Sequence, residues 1–200
     1  RSSHDLMPMP LDLDDPRSDD ALLALYGRGD GAAARILALR LTPLALRVGQ
    51  RMLGDAAEAE DLAQEAMLRL WRAAPGWQAG GAKVSTWLYR VVMNLATDRL
   101  RRRRTVPLDD GPEPEDGQPG AVAGLIEAER AAALEAALMA LPDRQREAVV
   151  LRHLEGLANP EIAEIMGVGV EAVESLVARG KRGLAQRLAG RREELGYDGD

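Results

Sequence analysis

DAAEAEDLAQEAMLRLWRAAPGWQAGGAKVSTWLYRVVMNLATDRLRRRR, residues 55–104, decides how this chain reads. It splits into two helical periods joined by a Trp/Gly loop. Asp55 can cap the first helix, and Glu58 stands where a capping box needs its second acid. At about 100° per residue, Leu62, Ala63, Ala66, Met67 and Leu70 fall on one arc, which predicts the buried face. Asp61, Gln64, Glu65, Leu68 and Arg72 fall on the opposite arc, with Trp71 at its margin. An acidic face carrying an outward Leu and a flanking Trp suits docking of a partner better than solvation alone.

The second helix is predicted to start near Ser85 and run into the arginines. Leu88, Val91, Val92 and Leu95 form its apolar face. Thr86, Arg90, Asn94, Thr97 and Arg101 line the other side, with Trp87 beside them. A nucleic-acid surface needs such a stripe: guanidinium groups hold phosphates, Asn reads a base edge, and an indole offers a face to an unstacked base. The same stripe also suits a solvated helix whose basic end the dipole favours by ~0.3–1 kcal/mol per cation.

DLAQEAMLRLWRA followed by STWLYRVVMNLATDRLRRR resembles regions 2.2 to 2.4 of bacterial sigma factors, in particular the short extracytoplasmic-function (ECF) group. Met67 departs from that group, which usually has an aromatic residue there; Met fills the same space softly. The resemblance implies that Asp61, Gln64, Glu65, Leu68 and Trp71 bind the clamp helices of the largest subunit of core RNA polymerase. It implies that Lys83, Thr86, Trp87, Arg90 and Asn94 capture the −10 region of a promoter, with a flipped base held by the Gly76–Lys83 loop. Arg99 and Arg101–Arg104, Arg102 included, are then expected to hold backbone phosphate.

The chain has 200 residues, enough for one medium domain or two small ones. A net charge of −6 argues against a nucleic-acid binder, but the charge is unevenly spread. The first twenty residues and Asp109–Asp116 are acidic, while Arg99 to Arg104 holds five arginines. Local field decides what a surface attracts, and totals do not. The absence of cysteine excludes disulfides, thiolate zinc sites and thiol-based sensing. His4 and His153 are too few and too far apart to point to a metal site, and no cofactor is called for. No run approaches the ~20 apolar residues of a membrane span, and no signal-peptide core follows the N-terminus, so a cytoplasmic location is expected.

Before the central pair, residues 1–16 carry prolines and acids without a period and read as a mobile segment. Asp19 or Asp20 can start a helix that stops at Gly27–Gly31. A longer helix follows from about Ala32 to Leu53, with a kink or break expected at Thr42–Pro43, and Gly54 closes it. Residues 17–105 thus form a helical domain. Residues 106–120 hold four prolines, three glycines, five acids and no base, the composition of a linker. By resemblance to sigma factors, this linker threads toward the polymerase active-site and RNA-exit channel, where an acidic strand can mimic nucleic acid.

Residues 121–195 are helical again, with 196–200 as a tail. Asp143 is expected to cap DRQREAVVLRHLEG, which stops at Gly156. Asn159–Pro160 is expected to be a cap and first-turn proline for PEIAEIMG, which Gly167 stops. A further helix ends basic, giving a helix-turn-helix pattern. Val173, Val177, Leu184 and Leu188 share its core face; Glu171, Ser175, Ala178, Arg179, Arg182 and Gln186 share the outer one. Arg179 and Arg182 can reach phosphate or guanine in a major groove, and Glu171 can accept from cytosine. A helical hairpin without a DNA role has the same pattern.

LPDRQREAVVLRHLEGLANPEIAEIMGVGVEAVESLVARGKRGL is similar to sigma region 4, which reads the −35 element. That likeness assigns Glu171, Ser175, Arg179 and Arg182 to −35 DNA. Glu174 and Leu176 depart from it, because the group commonly has basic residues at both positions. Gly180 and Gly183 each cost the helix roughly 1 kcal/mol relative to Ala, unless they serve close packing.

The expected fold is all-α, with two small helical domains joined by a flexible acidic linker. The expected function is a dissociable, non-enzymatic specificity subunit of RNA polymerase, monomeric when free and recognising promoter DNA only within the holoenzyme. Family resemblance adds a cognate anti-sigma factor as a partner. The alternative is a conventional dimeric helix-turn-helix regulator, which leaves the Asp61–Trp71 face and the Arg/Asn/Trp stripe without a purpose. An enzyme finds no support, since the chain has no phosphate-cradling Gly loop, nucleophile motif or metal set.

Overall fold

Eight α-helices account for most of the described residues, which are 15–105 and 122–194 of a computed structural model. Residues 1–14, the linker 106–120 and the tail 196–200 lie outside that range. The first lobe holds α1 (Asp19–Gly27), α2 (Gly31–Leu53), α3 (Ala56–Ala73) and α4 (Val84–Thr105). The second holds α5 (Val122–Met139), α6 (Asp143–Val149), α7 (Asn159–Met166) and α8 (Val170–Glu194).

Capping explains most of the boundaries. Ser18 caps α1 by accepting from the Ala21 amide, so Asp19 and Asp20 occupy the first turn, where the dipole favours acids. Asp30 caps α2 through the Ala32 and Ala33 amides. Gly54 ends α2 in the left-handed region at φ 64°, which only glycine enters cheaply. Asp55 caps α3 by accepting from the Glu58 amide at 2.9 Å. The Glu58 carboxylate does not complete a capping box; it pairs with Arg103 at 2.8 Å.

Four expectations about boundaries fail. α2 continues through Thr42–Pro43 without a break. Pro43 is exposed, so its missing N–H costs little, while Leu37, Leu41, Ala45 and Val48 lock the buried face on either side of it. Asp143 is not a cap: Pro142 precedes the helix with no side-chain bond, and Asp143 lies in its first turn paired with Arg104 at 2.7 Å. Asn159 is likewise the first helical residue behind Ala158, and its buried Oδ1 has no hydrogen-bond partner. The run Asp143–Gly156 is also not one regular helix. After Val149 it widens into a π turn over Val150–Leu154, closed by Glu155 N–H to the Val150 carbonyl at 2.9 Å.

The predicted faces of the central pair are largely realised. Leu62, Ala63, Ala66, Met67 and Leu70 of α3 are all buried, as are Leu88, Val92 and Leu95 of α4, with Val91 partly so. Thr86 is the exception: expected on the outer stripe, it is instead buried with the core side of α4. One apolar core runs through both lobes, from Leu22 and Leu37 to Ile162 and Val173. In the second lobe two of the three glycines of α8 have a packing role. A Cβ on Gly180 would fall 2.5 Å from Val149 Cγ2, and one on Gly183 would fall 2.9 Å from Leu141 Cδ2.

Candidate nucleic-acid and partner interfaces

Three surfaces carry the residues singled out from sequence. On α3, Asp61, Gln64 and Leu68 are exposed, and Leu68 at 51 % is the most exposed of the large apolar side chains among the described residues. Glu65 is partly covered and bonded to Arg69 at 2.6 Å. Trp71 sits edge-on to Tyr26 of α1 at 4.9 Å, half-buried, so its rim alone borders the face. An acidic strip with one greasy centre is thereby held on a rigid helix, the arrangement a docking hot spot requires.

The second surface is α4 with the loop before it. Lys83, Arg90 and Asn94 are exposed, and Trp87 is half-buried in a T-shaped contact with Trp77 at 6.1 Å. The Trp77 indole N–H donates to Asp20 of α1 at 3.1 Å, which fixes the start of the loop. Thr86 does not join this surface.

The arginines at the end of α4 divide by role. Arg99 donates to the Glu58 carbonyl at 2.9 Å and Arg103 to the Leu53 carbonyl at 2.9 Å. Both tie α4 to the α2–α3 corner. Arg104 is engaged by Asp143 of the second lobe. Arg101 is 68 % exposed with only a loose 3.4 Å pair to Asp98, and Arg102 is exposed, so these two present their charge to solvent.

The third surface is the outer side of α8. Glu171, Arg179 and Arg182 are exposed and Ser175 is half-buried, so all four share one side, with Glu174 exposed beside them. Leu176 instead packs partly against the core. It is therefore a structural residue of the lobe rather than a lost base contact.

Sequence reasoning missed the residues that join the lobes. Glu155 is only 2 % exposed at its side chain. It accepts from Arg47 Nε at 2.9 Å and Nη2 at 2.7 Å, from Arg51 at 2.7 Å, and from the Tyr89 hydroxyl at 2.8 Å. Burial works to raise its pKa, but the bonds from Arg47 and Tyr89 and the charges of Arg47 and Arg51 outweigh burial and hold it below the usual glutamate range. Burial raises the Tyr89 hydroxyl, with Glu155 adding to the shift. Arg90 of α4 donates to the Glu164 carbonyl of α7 at 2.7 Å. An acid immediately before a helix-ending glycine was the available signal for Glu155, but nothing in the spacing names a partner 108 residues away.

Comparison with known proteins agrees with this layout. Residues 37–106 match sigma-70 region 2 and residues 131–184 match sigma-70 region 4. The ECF RNA polymerase sigma factor SigM of Mycobacterium tuberculosis is 35 % identical over 175 residues, covering 86 % of this chain and 85 % of that protein. SigE of Mycolicibacterium smegmatis is 36 % identical over 149 residues, 72 % of this chain and 56 % of that longer protein. The fold is shared with CnrH, solved in complex with the cytosolic domain of CnrY, at a TM-score of 0.65 and 24 % identity over 87 % of this chain and 99 % of that one. Two regions matched in this order do not favour a conventional dimeric regulator. The chain belongs to the extracytoplasmic-function sigma factors of the sigma-70 family, which serve RNA polymerase in transcription initiation.

Proposed function

We propose that the three surfaces divide the work of promoter-specific initiation among them. The α3 face, with Asp61, Gln64 and Leu68 at its centre and Glu65 and Trp71 at its edge, docks on the clamp helices of the core polymerase. The α4 face takes the −10 element: Trp87 offers a stacking surface, Lys83 and Arg90 supply charge, and Asn94 reads a base edge. Arg101 and Arg102 hold backbone phosphate, whereas Arg99 and Arg103 act by keeping α4 in place. Extruding a base costs a few kcal/mol, offset by stacking of about 1–3 kcal/mol per base. Arg179 and Arg182, with Glu171 and Ser175, read the −35 element from α8.

The observation that carries this reading is the adjacency of two unlike surfaces on α3 and α4. One is acidic with an exposed Leu68; the other is basic and aromatic with exposed Lys83, Arg90 and Asn94. A grip on the enzyme is thereby rigidly coupled to a grip on DNA. The protein acts in the cytoplasm as a monomer, without a cofactor or chemistry of its own, and an anti-sigma factor holds it in check. Among the described residues no helix is long and apolar enough to cross a membrane. Run-off transcription tests the proposal: core polymerase plus this chain and a pool of promoter fragments yields transcripts with defined starts. Starts that do not depend on the added chain refute it.

A further inference from the structure

The exposed side of α8 changes sign along its length. From Val170 to Glu174 it carries two acids and no base, and its first cation is Arg179. Val170 is 39 % exposed, and Glu171 and Glu174 are exposed beside it. The fold does not ask for this arrangement. Glu171 lies in the first turn, where the helix dipole favours an acid, but Glu174 lies beyond that turn. The two carboxylates stand at i and i+3, where like charges oppose the helix. The residues one turn from Glu174 on either side are Val170, Glu171, Val177 and Ala178, so its own helix offers it no cation. Among the described residues no salt bridge reaches either carboxylate. An unneutralised pair of this kind is a cost that the packing of the lobe does not recover.

The DNA-facing role of the helix supplies a reason. α8 is the second helix of the helix-turn-helix, and in that motif the N-terminal residues of the second helix meet base edges in the major groove. A carboxylate there only accepts hydrogen bonds. Phosphates repel it, while guanine N7 and O6 and thymine O4 set acceptor against acceptor. The donors on the groove edges are cytosine N4 and adenine N6. Adenine also places its N7 acceptor beside the amino group, so cytosine is the better match. Val170, one turn before Glu174, brings methyl groups and no competing donor. Arg179 follows about 7.5 Å along the axis at ~1.5 Å per residue, roughly two base steps, with the donors that guanine takes.

We infer that Glu174 is a specificity determinant of the −35 element, selecting cytosine and rejecting guanine at one position about two steps from the base pairs that Arg179 holds. The inference rests on the assignment of α8 to the −35 element. Rejection matters as much as attraction, since a guanine beneath Glu174 leaves a carboxylate without a donor.

The test uses core polymerase with the full chain and a promoter recovered from the run-off pool, its −35 bases randomised and its −10 element fixed. Sequencing the transcribed templates should show wild type enriching cytosine over guanine at one position by roughly 5–150-fold. Glu174→Gln should move that position toward adenine, whose N6 and N7 a carboxamide takes together, and Glu174→Lys should move it toward guanine. The other positions should stay as they were. Both variants should melt no lower than wild type, because each removes a like-charge pair from an exposed face. Identical base preferences in wild type and both variants, or a gain that is equal on every template, overturns the inference and leaves Glu174 as a charge alone. A wild-type chain that starts transcripts at defined points yet prefers no base anywhere in the randomised window overturns the −35 assignment of α8, and the inference with it.

Discussion

Arg146 Nη1 donates to the Met52 carbonyl across the lobes at 2.6 Å, from a side chain that is almost fully buried. The same guanidinium donates to the carbonyls of Leu138, Met139 and Leu141. One cation thus closes the C-terminal ends of both α2 and α5, where unpaired carbonyls and the dipoles concentrate negative charge. Burial pulls its pKa down from the usual arginine range, with Asp143 working against that shift; an arginine remains charged regardless. Arg146→Met would leave these carbonyls without a donor and should destabilise the chain by about 3–5 kcal/mol. Arg146→Lys should recover little, because a point charge cannot reach four acceptors in a fork. Urea unfolding followed by circular dichroism measures both; a Met variant within 1 kcal/mol of wild type contradicts this account.

The α3 face is separable from the fold. Asp61, Gln64 and Leu68 make no buried contact, so replacing all three by Ala should leave the melting temperature nearly unchanged. The same triple variant should fail to co-purify with core polymerase. Retained co-purification at wild-type yield would remove α3 from the docking surface.

Gly180→Ala sets two effects against each other. Alanine favours the helix by about 1 kcal/mol, but its Cβ would lie 2.5 Å from Val149 Cγ2 and 3.0 Å from the Gln145 carbonyl. Overpacking of that kind costs typically 1–3 kcal/mol, so net destabilisation is expected. Gly190→Ala in the same helix meets nothing within 4 Å and serves as the control that should stabilise. Thermal melts of the two variants should move in opposite directions.

Two buried glutamates should give opposite dependences on pH. Burial raises the Glu147 carboxyl above the ordinary range, with the charge and hydrogen bond of Arg144 opposing only part of it. A raised carboxyl carries no penalty below its unfolded pKa and the full penalty once pH exceeds its folded one. Glu147→Gln should therefore raise the Tm at neutral pH, by roughly the 2–4 °C that ~1 kcal/mol makes in a chain of this size. The lowered carboxyl of Glu155 acts in reverse: its stabilisation is present above the unfolded value and fades as pH falls through the folded one. Glu155→Gln should flatten the acid side of the stability profile, and Glu147→Gln should not. Identical pH profiles for the two variants would contradict these assignments.

The helical period named the buried face of α3 but for Ala59, because burial on a strongly amphipathic helix follows spacing. On α4 it found Leu88, Val92 and Leu95 and missed the wider arc that also buries Val84, Tyr89, Met93, Ala96 and Leu100. The Asp55 cap was legible too, whereas Ser18 was passed over for Asp19 and Asp20, which lie in the first turn behind it. Thr86 was misplaced since a period of 3.6 fixes a residue's angle on its own helix but not the direction from which neighbours close in. Asp143 and Asn159 were misread as caps because their residue types suit that role, whereas Pro142 and Ala158 already supply the turn. The arginine run read as one patch, and only tertiary contacts sort Arg99 and Arg103 from Arg101 and Arg102. Glu155, Tyr89, Arg47 and Arg146 stayed hidden, as a polar group that meets its partners across a hundred residues leaves no local pattern.

That sorting of the arginines has an evolutionary corollary. Arg101 and Arg102 present their charge to solvent, so they can exchange for other cations, or drift, without disturbing the fold. Arg99 and Arg103 hold the Glu58 and Leu53 carbonyls, so a change there would tilt a whole helix and every contact it makes. Of two neighbouring codons for the same amino acid, one is free to adapt to a new operon while the other is bound to the scaffold.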